Sequence, residues 1–285
     1  MDADAQLEPG LYVVGTPIGN LEDITLRALR VLKSVDRIAC EDTRHTQQLL
    51  NHYGITTRTV SYHEHNEAER AAELAAELEQ GARIALVTDA GMPAISDPGY
   101  RVVAEAVRRG VRVIPIPDPA ALVAALAAAG LPTDEFSFHG FLPARAGQRR
   151  SLLESLAGAT HTLVFYEAPH RIIETFADVV AALGPARPVC VAREITKLHE
   201  EFLRGPAAEV LAELRRRGDV KGEITLLIGK AAGAPTRPAA ADLRARLGEI
   251  MKDEKLDEKA ALKRLAKEQG VSKSEVYREL QRGRR

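Results

Sequence analysis

Tryptophan is missing from this 285-residue sequence, cysteine occurs twice, and aromatic side chains make up only 4%. A core must therefore be aliphatic, and the 45% hydrophobic content can supply one. Cys40 and Cys190 each fall inside a strand-like run, so no disulfide framework is expected, only buried free thiols in a reducing cytoplasm. No run of about 18 apolar residues occurs, which leaves no helical membrane span. The acidic opening MDADAQLEPG has no apolar export-signal core, so a cytoplasmic location is expected. A one-sided charge is missing too, at −1 overall, yet residues 237–285 carry 14 Lys and Arg against 9 Asp and Glu, and the rest 25 against 31. A basic tail on an acidic body fits either a polyanionic partner or a solvated helical tail.

What the sequence has in quantity is alternation. Apolar runs at 11–14, 37–40, 57–62, 84–88 and 112–116 are separated by helix-period segments at 25–34, 43–52, 66–79, 100–109 and 120–129. This is the βαβα pattern of a parallel sheet covered on both faces. In the segment 66–79 the expected buried stripe is Ala68, Ala71, Ala72, Ala75 and Leu78. GLPTDEF, 130–136, breaks the rhythm. A second block follows, with strands at 136–141, 162–167, 189–194, 201–204 and 224–229 and helices at 148–157, 169–183 and 206–217. AAGAPTRPAA, 231–240, has the composition of a linker, and the remainder is helical in pattern. The expected organisation is an α/β domain over 1–131, a second α/β domain over 132–233 and a helical module over 238–285.

The loops at the strand ends carry the chemistry. VTDAGMPAISDPG, 87–99, joins a strand to a helix through two Gly, two Pro and two Asp, more constraint than a connecting loop needs. Asp89 sits at a strand's carboxyl end, where open α/β sheets bind ligands. Gly91 and Gly99 admit positive φ, and Pro93 and Pro98 stiffen the loop. LYVVGTPIGN runs a strand into a turn where Gly15 and Gly19 carry no Cβ, although Pro17 removes a donor and the spacing is not G-x-G-x-x-G. In CEDTRHT the acids either bond a ligand hydroxyl or cap the next helix, and Arg44, in a first helical turn, suits an anion contact. On a strand, His63 and His65 in YHEHNE would point the same way, as a polar substrate-facing edge or a solvated strand end. No third ligand cluster accompanies them, so no metal site is expected. FYEAPHR, 165–171, and AREITK, 192–197, end two more strands with Glu167, His170, Arg171, Arg193, Glu194 and Lys197, too many ionisable groups for packing alone. Pro169 fits a first helical position.

Taken in order, GTPIGNLEDIT, EDTR, SYHEHNE, DAGMPAISDPG, FYEAPHR and AREITK resemble the bacterial 16S ribosomal RNA (cytidine 2′-O)-methyltransferases, over roughly residues 11–230. That family lies in the tetrapyrrole-methylase-like class (class III) of S-adenosylmethionine enzymes. The resemblance implies two α/β domains with a cofactor cleft between them, a homodimer, S-adenosyl-L-methionine as cofactor and no metal. The implied product carries one methyl on the ribose of a decoding-centre cytidine in 16S rRNA of the small ribosomal subunit. It further implies that Gly15, Thr16, Pro17 and Ile18, then Asp89, Ala90, Gly91, Met92 and Pro93, then Ala120 and Ala121, meet the cofactor from the first half. Tyr166 and Glu167 would close over its adenosine side from the second. A ribose hydroxyl needs a proton acceptor, for which Glu167, Glu194, Lys197 and His170 are the candidates; Lys197, if desolvated, would titrate low enough to serve. Arg44, His63, His65, Arg171 and Arg193 suit RNA contact.

One departure stands out. Pro117–Asp118–Pro119–Ala120 takes the place of the family's usual Pro-Gly-Pro-Ser, adding a carboxylate near the cofactor and removing a hydroxyl. Weaker or altered cofactor binding is expected; if the usual Gly takes positive φ, Asp follows at modest cost. LDEKAALKRLAKEQGVSKSEVYREL reads like a helix-turn-helix, with Gly270 after one helix and Ser272 or Ser274 capping the next. Nucleic-acid contact is the expectation there, against a packing bundle. Three rivals remain. A corrin-precursor (tetrapyrrole) methyltransferase of the same class is opposed by the basic tail and SYHEHNE. A nicotinamide oxidoreductase lacks its glycine spacing. A non-catalytic ribosome-assembly factor is kept in view by Asp118.

Overall fold

The computed structural model describes residues 7–231, 240–254 and 256–269, with 274, 276, 277 and 280. Strands β1 (Gly10–Val14), β2 (Arg37–Cys40), β3 (Thr59–Ser61), β4 (Arg83–Leu86) and β5 (Val113–Ile116) form a parallel sheet in the order β3-β2-β4-β1-β5. Helices α1 (Leu26–Ser34) and α2 (Thr43–His52) cover one face, α3 (Glu67–Glu79) and α4 (Tyr100–Arg108) the other. Side chains alternate along a strand, so Tyr12 and Val14 enter the first core while Leu11 and Val13 enter the second. That is why β1 reads as an unbroken apolar run. Asp42 settles the choice left open in CEDTRHT: its carboxylate accepts from the Arg44 and His45 N–H groups and caps α2. The α3 stripe needs a correction. Ala71, Leu74, Ala75 and Leu78 are buried, at the i, i+3, i+4, i+7 spacing of one helical face, while Ala68 and Ala72 are exposed.

The second sheet is mixed. It contains β6 (Phe136–Phe141), β7 (Thr162–Glu167), β8 (Pro188–Arg193), β9 (Glu201–Pro206) and β10 (Ile224–Ile228) in the order β6-β7-β10-β8-β9, with only β6 and β7 parallel. Helices α6 (Ala146–Ser155), α7 (Ile172–Leu183) and α8 (Ala207–Arg217) cover one face. The other face receives α5 (Ala121–Ala128), which follows the first sheet. Ala125, Leu126 and Ala129 pack with Ile18 against Val164, Cys190, Ala192 and Leu227. ALVAALAA is apolar all round, yet only Ala125 and Leu126 are buried and Val123 is 57% exposed. Through it the two α/β halves make one compact unit, residues 1–231.

The second unit, described by itself, has α9 (Ala240–Asp253) and α10 (Glu258–Gln269). Leu243, Leu247 and Ile250 meet Ala261, Leu262, Leu265, Ala266 and Val276 in a core of their own. Asp257 caps α10, accepting from the Ala260 N–H at 2.7 Å. The Gly270 and Ser272 positions of the helix-turn-helix reading and nearly all of the linker lie outside the described residues; Ser274 has helical backbone.

Candidate active site

Three loops of the first half converge beyond the carboxyl ends of β1, β4 and β5. The turn after β1 and the loop after β4 exchange two backbone hydrogen bonds: Thr16 N–H donates to Gly91 O at 3.0 Å, and Gly91 N–H to Thr16 O at 2.9 Å. The Thr16 hydroxyl adds a bond to Thr88 O at 3.0 Å. Gly91 holds φ +83°, a conformation glycine adopts freely. Gly15 is where the third loop arrives: a Cβ there would stand 2.5 Å from Asp118 Cβ and 2.8 Å from Met92 Sδ. Ala94 and Ser96, at φ 68° and 64°, are left-handed without being glycine, strain that marks the loop as shaped for a purpose. Beneath it the Thr88 hydroxyl donates to Glu41 at 2.9 Å and Asp42 N–H to Asp89 Oδ1 at 3.2 Å.

Between these loops and the second sheet lies a cleft of about 390 Å³, within the range of small-molecule sites. Ile18, Ala90, Gly91, Met92, Ala120 and Ala121 line it from the first half, and Tyr166 and Glu167 from the second. Gly15, Thr16, Pro17, Asp89 and Pro93 are not in the lining; they form the frame behind it. The sequence did not single out Asp97, Phe141, Ile195 and Glu223, which also line the cleft. Phe141 gets there through a bulge: the β6–β7 register shifts between Phe138 and Phe141, around Gly140 at φ +64°. Both rings then pack on Tyr166, at 4.9 and 5.6 Å between centroids.

The lining carries no Lys or Arg. Its carboxyl at Asp97 is pushed up to about 6, first by burial, then by the neighbouring charge of Glu41; Thr88 opposes and Asp89 adds. Asp97 is one of three carboxyls in the lining, with Glu167 and Glu223, and alone of the three is in no ion pair among the described residues; an apolar cleft so lined, with no Lys or Arg in its walls, favours a ligand that brings positive charge.

The candidate proton acceptors are mostly engaged. Glu167, its side chain 0% exposed, accepts from Arg171 Nε at 2.9 Å, Ala168 N–H at 2.7 Å and the Thr175 hydroxyl at 2.7 Å. Glu194, at φ 51°, accepts from Lys197 Nζ at 3.0 Å and Glu223 N–H at 2.9 Å. Burial pushes its carboxyl up, but the bonds from Glu223 and Lys197 outweigh it and hold it below the ordinary range. The low-titrating Lys197 is overturned. Burial favours the neutral amine, yet Glu223 and Glu194, each 3.0 Å away, hold the ammonium above its ordinary value. His170 is exposed, next to the cleft-lining Ala168 and Pro169.

Of the five residues chosen for RNA, Arg44 is out in solvent, its side chain 92% exposed at the start of α2. His63 and His65 face each other at 5.8 Å after β3, and the described residues hold no cluster fit for a metal. Arg171 is bound to Glu167 and Leu142 O. Arg193 is bound to Glu201, Lys221 O and His199 O. Asp118 is not left-handed, so replacing a glycine there costs no backbone strain. The cost is a half-buried carboxyl whose Oδ1 has no partner, pushed up to about 7 by burial; a long bond from Thr25 N–H opposes and Asp23's charge adds.

Comparison with known proteins places this geometry. Residues 10–211 match the family described as Tetrapyrrole (Corrin/Porphyrin) Methylases. The chain is 47% identical to "Ribosomal RNA small subunit methyltransferase I" of Mesorhizobium japonicum, over 96% of this chain and 92% of that one. Its identity to the protein of the same name from Escherichia coli O157:H7 is 46%, over 94% and 93%. Among solved structures, diphthine synthase superposes with a TM-score of 0.61 at 15% identity, covering 77% of this chain and 89% of that one. The cobalt precorrin-4 methyltransferase CbiF does so at 0.55 and 20%, covering 77% and 94%. Those two show the fold alone.

Proposed function

The chain belongs to the tetrapyrrole methylase family and, within it, to the ribosomal RNA small subunit methyltransferases I, and from that premise we propose that it methylates the ribose 2′-hydroxyl of a decoding-centre cytidine in 16S rRNA. The proposed methyl donor is S-adenosyl-L-methionine, the substrate the small ribosomal subunit, the working form a homodimer and the location the cytoplasm. Among the described residues no helix is long and apolar enough to cross a membrane.

The observation that carries this reading is the charge of the cleft. When bound, S-adenosylmethionine supplies an electrophilic methyl carbon on a sulfonium, and a cleft with Asp97 and no Lys or Arg fits that cation. Ile18, Met92, Ile195 and Tyr166 offer apolar and aromatic walls for the rest of it. The chain's contribution is then mainly to position, which at best supplies about 7–11 kcal/mol of the barrier. The Thr16–Gly91 clasp fixes one wall, and the Glu167–Arg171 pair fixes the other by holding the turn at Ala168.

A 2′-hydroxyl must lose its proton during the displacement. Glu167, Glu194 and Lys197 are committed to internal bonds. His170 makes none among the described residues and follows two lining residues, so it is the proposed acceptor. His170→Gln should lower kcat about 10²–10⁴-fold with cofactor affinity kept. The test of the whole reading is incubation with labelled S-adenosylmethionine and small subunits lacking the mark. Label in a single 2′-O-methylcytidine is expected. Label in a base instead, or none with the cofactor bound, contradicts the reading, and the second outcome favours an assembly factor.

A further inference from the structure

Arg171 and Arg193 are consumed inside the fold, yet one basic segment beside the cleft has no role in the site. It is LPARAGQRR, residues 142–150, running from the end of β6 into α6. Its backbone is held from within by two arginines: Arg171 Nη2 donates to Leu142 O at 3.3 Å and Arg149 Nη1 to Ala144 O at 3.4 Å. Each has a buried carboxylate partner, Glu167 at 2% exposure and Asp178 at 3%. Asp178 also accepts from Arg150, at 2.5 Å, so this trio of one acid and two bases is left with one positive charge. Buried ion pairs of this kind are poor stabilisers compared with apolar packing, because desolvation offsets the attraction. What they achieve here is a loop of fixed shape.

That loop turns Arg145 and Gln148 to solvent, and Arg150 keeps its side chain 61% exposed. The Arg145 guanidinium has no ion-pair or hydrogen-bond partner among the described residues. Two exposed acids lie nearby, and neither pairs with Arg145: Glu174 reaches Arg149 at 4.0 Å, and Glu154 acts on Arg150. The loop begins directly after Phe141, and Arg171, which pins it, follows Ala168 and Pro169; all three of those neighbours line the cleft. A cation without a counterion, on a preformed loop that leaves the cleft wall at Phe141, suits an anionic chain passing beside the cleft, and no ordering of the loop has to be offset on binding.

We propose that the loop 142–150 docks the phosphate backbone of the substrate RNA, with Arg145 as its principal contact and Gln148 and Arg150 beside it. This rests on the RNA-substrate reading given above and adds residues outside the matched motifs. The experiment titrates full-length protein with small subunits lacking the mark, at salt concentrations from about 50 to 200 mM, for wild type, Arg145→Ala, Arg145→Glu and Arg145→Lys. Arg145→Ala should weaken binding about 3- to 10-fold and flatten the salt dependence by about one phosphate contact. Arg145→Glu should weaken it further, and Arg145→Lys should keep the salt slope. Cofactor heat and thermal midpoint should stay at wild-type values, since Arg145 touches neither cleft nor core. If wild type binds and methylates while Arg145→Glu matches it in affinity and slope, this proposal falls and the RNA reading stands. If wild type neither binds nor methylates the subunits, both fall.

Discussion

The two halves of residues 1–231 hold their cleft loops in different ways. In the first half the fastening is mostly backbone: the Thr16–Gly91 pair of hydrogen bonds, a left-handed glycine and a Cβ-free approach at Gly15. In the second it is charge: Glu167 with Arg171, Lys197 with Glu194 and Glu223, Glu201 with Arg193 and Arg217. A peptide hydrogen bond has no proton to lose in the working range of pH, and salt screens it little. A carboxylate pin has both weaknesses. The first wall of the cleft should therefore be indifferent to conditions that loosen the second.

Breaking a pin is expected to cost most. Glu167→Ala strands the Arg171 guanidinium in a buried place and should lower stability by about 3–5 kcal/mol in urea unfolding. A loss below about 1 kcal/mol would show that the pins of the second half are ornamental. Breaking the clasp comes next. Gly91→Val forces a β-branched residue to φ +83°, at about 1–3 kcal/mol. It should weaken cofactor binding at least tenfold, equally at low and high salt; a salt-dependent loss would contradict a backbone fastening.

Asp118, packed against Gly15 beside the clasp, sharpens the contrast. Its folded value is raised, to about 7, so its favourable contribution is complete below the unfolded carboxylate value and is lost as pH rises through about 7. Asp118→Asn should thus stabilise the protein, by an amount that grows from pH 4 to 7 and is then constant. After allowance for solvent screening this is on the order of 1–2 kcal/mol. Thermal midpoints of the two proteins should converge at pH 4. The smallest effect lies in the pins. Glu194 and Glu201 are held below their ordinary values, Glu201 by Arg217 first. Their contribution is present above the ordinary carboxylate range and is lost as pH falls through the depressed values. Hydrogen exchange near pH 3 should open residues 194–206 before 87–99, by less than about 1 kcal/mol of local stability.

The same division decides what could be read from the sequence. A backbone fastening leaves a residue-type signature, since only glycine sits easily at φ +83° and only a residue without a Cβ fits beside Met92 and Asp118. The loops 15–18 and 89–93 were therefore visible as strings of Gly and Pro. Pairing leaves no such mark. Arg193 read as a phosphate ligand because Glu201 comes from the neighbouring strand, and Arg171 because its bond to Glu167, four residues back, depends on the turn that follows β7. Lys197 read as a base although Glu194 is three residues back, because its second carboxylate, Glu223, arrives from just before β10. The helix α5 had no face to find, because ALVAALAA is apolar at every position, although only Ala125 and Leu126 are buried and Val123 is 57% exposed. Asp97 lay inside a legible motif, but its role depends on burial and on Glu41, which is 56 residues away in a chain the sheet folds back on itself.

The central claim is that this cleft holds a sulfonium cofactor opposite the Asp97 carboxylate, and calorimetric titration of S-adenosylmethionine across pH 5 to 8 tests it most directly. Asp97 has a raised folded value of about 6, and a cation prefers its ionised form, so affinity for wild type should climb as pH rises through about 6 and then level. Asp97→Asn should bind more weakly at pH 8 and show no such climb. No heat at any pH, or an Asp97→Asn protein that binds as wild type does with the same pH profile, would contradict the account.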